Sequence, residues 1–147
     1  MSWKRKLRDA LVGGLAALAL AQLVPCGHHH TNPPVTKEPA WDRPETRALA
    51  KRACFDCHSN ETTWPWYSYV APVSWFVVGH VDEGRAAVNY SEWDHPSEHA
   101  SKAGREVKTG GMPLTSYLLL HGEARLSDAE RDQLVRGLDA TFPAPAH

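Results

Sequence analysis

From Ala10 to Val24 every position is apolar except Gln22, and four basic residues, Lys4, Arg5, Lys6 and Arg8, stand in front of the run. A basic start before an apolar stretch is the pattern of a membrane-directed segment whose positive flank stays cytoplasmic. Fifteen residues are fewer than the ~20 that usually span a bilayer. The tripeptide Ala-Leu-Ala at 17–19 or 19–21 offers a signal-peptidase site, while the run continues through Leu20, Leu23 and Val24. Residues 1–26 are therefore read as an uncleaved inner-membrane anchor or a removed signal. On either reading the chain from about residue 30 is exported, as a single-pass periplasmic domain or a soluble periplasmic protein.

Beyond this run the pattern is helical. Residues 31–45, TNPPVTKEPAWDRPE, hold four prolines and show no apolar period, so 27–40 is expected to be an extended Pro-rich tether. The folded domain is expected over 41–147. Asp42 is placed to cap a helix with Pro44 in its first turn, running through the cysteines and putting Leu49, Ala53 and Cys57 on one face. A second helix is expected over 71–88 with Trp75, Val78 and Val81 on one stripe, and Gly79 and Gly84 placed for close approach to a flat ligand. A third follows His95-Pro96 and ends at Gly110-Gly111. The last, LSDAERDQLVRGLDATF, opens on a capping box of Ser127 and Glu130 with Leu134, Val135 and Leu138 behind it. No alternation indicates strands. The expected fold is all-α, a small helical domain with long loops near 59–70 and 110–126.

Charge narrows the partners. The first 26 residues hold four of the sixteen Lys and Arg but one of the seventeen Asp and Glu, leaving 12 basic against 16 acidic, a net −4. A mildly acidic domain is a poor match for phosphates, which Lys and Arg must neutralise, so no nucleic-acid partner is expected; a cationic protein partner stays open, and the redox partner is not identified by the sequence.

The candidate chemistry sits at Cys54, Cys57 and His58, spaced C-x-x-C-H. This is the spacing of covalent c-type haem attachment, in which two thiols bond the haem and the next imidazole reaches the iron. A thioredoxin-like dithiol wants a βαβ context, and structural zinc wants a fourth ligand, yet the sequence has no second C-x-x-C. A disulfide in a haem-free interaction domain is the third alternative. Trp64, Trp66, Tyr67, Tyr69 and Trp75 follow directly and are expected to exclude water around one haem c or to fill an ordinary core. For a sixth iron ligand, Met112 lies between Gly-Gly and Pro on no helix face, with Pro113 stiffening the chain after it; His80 and His121 rank after it. With both axial positions filled the domain is an electron carrier rather than an enzyme. With Met112 off the iron it is a small-ligand sensor or peroxidase-like enzyme. Cys26 is read as an unpaired thiol, since Pro25 before it argues against lipid attachment, and His28, His29 and His30 as solvated polar residues.

Three stretches carry a resemblance: NPPVTKEPAWDRPETRALAKRACFDCHSNETTWPWYSYVAPVSW, then HVDEGR with NYSEW, then GGMPLTSYLLLHGEARLSDAER. On these the chain resembles a family of membrane-tethered bacterial haem-binding domain proteins, similar in pattern to small monohaem cytochromes c. The resemblance implies haem attachment at Cys54 and Cys57, proximal ligation by His58 and Met112 in the place of the distal methionine. Cys26 and His28 to His30 fall outside that pattern.

Overall fold

A computed structural model of the chain describes residues 2–144, and among these the only β pairing is one isolated bridge between Lys37 and Glu92. Seven α-helices follow in order: α1 (Trp3–Ala21), α2 (Pro44–Ala53), α3 (Phe55–His58), α4 (Val73–Ala87), α5 (Ala103–Thr109), α6 (Thr115–Leu118) and α7 (Asp128–Thr141). The all-α expectation holds. The two loops contain short helices that leave no readable period: α6, and 3-10 turns at Trp66–Tyr69 and Gly122–Ala124.

The chain divides into two units. One takes residues up to His30 together with Trp64–His80, and the other takes Thr31–Thr63 together with Val81 onward. In the first, the apolar positions of α1 are exposed, and no described helix is long and apolar enough to cross a membrane. The reason lies in the residues: Lys4, Arg5, Lys6, Arg8 and Asp9 occupy the first turns of α1, and the helix stops at Ala21.

The second unit is built on α7. Its N-terminus carries the expected capping box: Ser127 Oγ accepts from the Glu130 N–H (3.3 Å), and the Glu130 carboxylate accepts from the Ser127 N–H (2.8 Å). Leu134, Leu138 and Phe142 then recur at every fourth position and are all buried. α2 and α5 pack on α7. Gly137 allows α2 its approach, because a Cβ there would come within 2.8 Å of Thr46 Cβ. The core so formed joins Leu49, Ala50, Phe55, Val88, Tyr90 and Val107 to these leucines. Truncating Leu134 or Leu138 in such a core costs on the order of 2–5 kcal/mol.

Three details of the helices differ from the sequence reading. Asp42 caps nothing: Arg43 is the residue before Pro44, and the Asp42 backbone N–H instead donates to Thr141 Oγ1 at the end of α7 (3.1 Å). α2 does not run through the cysteines, since Cys54 leaves helical geometry (φ −128°, ψ −32°) and the chain turns into α3. Leu49, Ala53 and Cys57 therefore do not share a continuous face. The third helix, expected to follow His95-Pro96, opens as a 3-10 turn at Glu98 capped by Ser97, and α5 ends as expected at Gly110 (φ 77°).

The proline-rich segment is extended, as its composition predicts, but it is fixed from Thr31 onward. The Thr36 and Lys37 N–H groups donate to Ser91 O (2.9 and 3.2 Å), and Glu38 receives a bidentate pair from Arg47.

Candidate functional site

The residues Cys54 to His58 form one helical turn. Both the Cys57 and His58 N–H groups donate to the Cys54 carbonyl (3.2 and 2.9 Å), which sets the two thiols a single turn apart with the imidazole next in line. Phe55, 2 % exposed, anchors the turn in the core. Asp56, the other residue between the thiols, is held from outside: Tyr117 Oη donates to Asp56 Oδ2 (2.7 Å) and the Thr63 N–H donates to Oδ1 (2.9 Å). That phenol is pushed well above the usual tyrosine range by burial first and by the adjacent carboxylate second, so it stays a donor.

His58 is oriented through its Nδ1, which lies 3.1 Å from the Val88 carbonyl. A carbonyl only accepts, so Nδ1 carries the proton and Nε2 keeps its lone pair, the arrangement that suits an imidazole to a metal. Burial lowers the His58 pKa, outweighing the carbonyls of Val88 and Gly84, which favour its protonation. A folded pKa depressed below the unfolded value of about 6.5 gives stability that is complete above that pH and is lost as pH falls toward the folded value. The haem-free chain is therefore expected to weaken below about pH 6.5 by up to about 1.4 kcal/mol per pH unit. Denaturant titrations across pH should show that slope in the wild type and its loss in His58→Phe.

Helix α4 seats this turn. A Cβ on Gly84 would lie 3.0 Å from both the carbonyl carbon and Cβ of Cys57 and closer still to the Cys57 oxygen, so only glycine lets the helix lie against the Cys54–His58 turn. Gly84 thus faces the Cys57 backbone rather than a ligand, and Gly79 has nothing within 4 Å of its Cβ position. Arg85 then ties the flanks together. Its guanidinium donates to Ser59 O (2.8 Å), Thr31 O (2.9 Å), Asn32 Oδ1 (3.0 Å) and Thr62 Oγ1 (2.9 Å). After α4, Asn89 donates to Asn60 Oδ1 (2.9 Å), Ser91 Oγ accepts from the Asn60 N–H (2.9 Å) and Glu92 accepts from Asn60 Nδ2 (2.8 Å). The stretches HVDEGR and NYSEW are thus the clamp on C-x-x-C-H-S-N.

The two thiols are unpaired with each other and partly buried. Burial pushes Cys54 up to about 12 and Cys57 up to about 11, with Asp56 adding to the latter. A disulfide oxidoreductase needs a depressed thiol pKa, so these cysteines suit that chemistry poorly.

The structure brings together Cys54, Cys57 and His58 in one turn, and Met112 lies in the same unit. Met112 lines a cavity of about 260 Å³ with Val107, Pro113, Leu118, Arg125 and others, and that lining includes none of the three. α6 relates the two places, since Leu118 lines the cavity and Tyr117 bonds Asp56. His121 stacks on Tyr117 with ring centroids 3.9 Å apart, and its Nδ1 lies 3.0 Å from Tyr117 O. His80 is exposed on α4.

Each unit has its own aromatic groupings. Trp66 is 78 % exposed, and Tyr69 stacks on His30 in the first unit. The aromatic cluster of the second unit is Trp41, Phe55, Tyr90, Trp93 and Phe142, with the Tyr90 ring 6.3 Å from that of His58. Tyr90 and Trp93 lie in NYSEW, and Phe142 continues the Leu134–Leu138 period, so both signals were present in the sequence. His30 is likewise no solvated linker residue, for its Nε2 sits 2.7 Å from Ser68 O. Cys26 is exposed, and no group of three or more His, Cys, Asp or Glu gathers for a metal ion among the described residues.

The sequence model of a family described as "Haem-binding domain" matches residues 16–140. The chain belongs to the haem-binding domain family. No curated protein and no solved structure matches it. The haem-binding domain spans nearly all the described helices, from the end of α1 to the last turn of α7. Its donor set fits the group: two unpaired thiols one turn apart and an imidazole whose bonded Nδ1 leaves Nε2 for iron.

Proposed function

We propose that the protein carries one haem c, joined by thioethers to Cys54 and Cys57 and ligated by His58, and that it works as an electron-transfer module. The observation that carries this reading is the C-x-x-C-H turn with His58 fixed by Val88 in the tautomer an iron ligand requires. A haem with histidine and thioether on its two axial positions has no open site and passes electrons without bond chemistry. Met112 is the sixth ligand of this proposal, reached through the loop that follows Gly110 and carried by the same segment as Tyr117. The net −4 of residues 27–147 suits a cationic redox partner.

Location follows from the N-terminus. We place the domain in the periplasm, held at the inner membrane by α1 with Lys4 to Arg8 on the cytoplasmic side. The apolar run is short, and thinning of the bilayer together with long basic side chains reaching back to the headgroups accommodates such a mismatch.

A second reading has the iron bound by His58 and His121, or open for a small ligand. His121 earns its place by stacking on the tyrosine that grips Asp56. Spectra separate these readings. A His58/Met112 site is low-spin, shows a sulfur-to-ferric-iron charge-transfer band, and resists carbon monoxide when reduced. Met112→Ala should remove the band, open the iron to carbon monoxide and lower the potential, while His80→Ala and His121→Ala leave the band intact. Rapid carbon monoxide binding by the wild type, or an unchanged Met112→Ala spectrum, would sink the carrier assignment.

A further inference from the structure

We propose that the segment Trp66 to Phe76 lies in the lipid interface beside the end of α1, giving the protein a second membrane contact. The inference rests on the reading of α1 as the membrane segment and adds a surface that reading does not contain.

Gln22, the residue after α1, grips Ala71 in both directions. Its Nε2 donates to Ala71 O (3.2 Å) and its Oε1 accepts from the Ala71 N–H (3.0 Å). Gly27, at φ 74°, packs so closely on Trp75 that a Cβ would fall within 2.8 Å of the Trp75 backbone nitrogen. His30 stacks on Tyr69 at 4.0 Å. These three attachments fix residues 69–75 to the chain leaving α1. Whatever depth the end of α1 takes in a bilayer, Ala71 takes too.

The residues around Ala71 suit that depth. Trp66 is 78 % exposed, Phe76 67 %, Tyr69 54 %, Val73 44 % and Val70 41 %. Val73 and Phe76 stand three apart on α4 and share a face. From Thr62 to Gly79 there is no Asp, Glu, Lys or Arg, so lipid insertion desolvates no charge. Tryptophan and tyrosine with short aliphatic neighbours are the side chains that collect where bilayer meets water. An exposed apolar patch of this kind marks an interaction surface, and its attachment to the end of α1 selects lipid as the occupant.

The test uses the full-length haem-loaded protein in vesicles of phosphatidylethanolamine and phosphatidylglycerol that contain a phospholipid with a photoactivatable acyl chain. Cross-linked peptides are mapped by mass spectrometry. Peptides covering 66–76 should label several-fold above those of α7, and Trp66→Ser with Phe76→Ser should reduce that labelling to the α7 level without changing the labelling of α1. Labelled α1 beside unlabelled 66–76 overturns this proposal, leaving the patch to a protein partner, and keeps the membrane reading. Labelled 66–76 beside unlabelled α1 upholds the second contact and overturns α1 as the anchor. With neither labelled, both fall.

Discussion

Changing both Cys54 and Cys57 to alanine will abolish haem staining of the protein on a denaturing gel. Thioether bonds survive unfolding, whereas haem held by His58 alone leaves once the turn that orients the imidazole is lost. The turn itself should persist in the double variant, because its hydrogen bonds run between backbone groups of residues 54, 57 and 58 and its anchor is Phe55. Loss of stain with helical content retained is the expected pair of results after expression with the cytochrome c maturation machinery. Undiminished staining of the double variant at the mature mass would show that the attachment site lies elsewhere.

Gly84→Ala and Gly79→Ala, five residues apart on the same helix, will move stability in opposite directions. At Gly84 the new methyl meets the backbone of Cys57, which cannot rotate aside as a side chain could. Overpacking of this kind costs about 1–3 kcal/mol, against a helix-propensity gain of about 1 kcal/mol from replacing glycine by alanine. At Gly79 nothing lies within 4 Å of the new methyl, so the propensity gain of up to about 1 kcal/mol stands alone. Denaturation midpoints at constant slope should therefore fall for Gly84→Ala and rise for Gly79→Ala. With haem attached as proposed, Gly84→Ala should also weaken ligation by His58, since Val88, the partner of His58, sits one turn further along that chain segment. Equal midpoints for the two variants would refute the close contact between α4 and the Cys54–His58 turn.

Much of this was legible because local chemistry writes local structure. The capping box at Ser127 and Glu130, the Leu134 and Leu138 stripe and the glycine stop at Gly110 all act within a few residues, and each was readable from spacing. The break at Cys54 was not, because helix propensity continues smoothly through ALAKRACFDCH while tertiary packing of Phe55 turns the chain. Asp42 misled for a similar reason: a residue with good capping chemistry found a partner 99 positions away, in Thr141. Tyr90, Trp93 and Phe142 reach the second unit's core from far along the chain. The period of Leu134, Leu138 and Phe142 marks a buried face but does not say which distant residues will meet it.

The reach of Arg85 has a consequence for the order of assembly. Its bonds to Ser59 and Thr31 span 26 and 54 residues, long separations for a helical protein, and contacts so distant in sequence form late because loop closure must come first. The turn bearing Cys54 and Cys57 can coil early from its own backbone, but the strands of chain on either side stay loose until α4 arrives. In a newly made polypeptide the two thiols are therefore approachable during that interval, before burial raises their pKa values and α4 closes over Cys57. These bonds of the guanidinium cannot form until the chain is complete through residue 85, so the flanks of the turn are pinned only after that point.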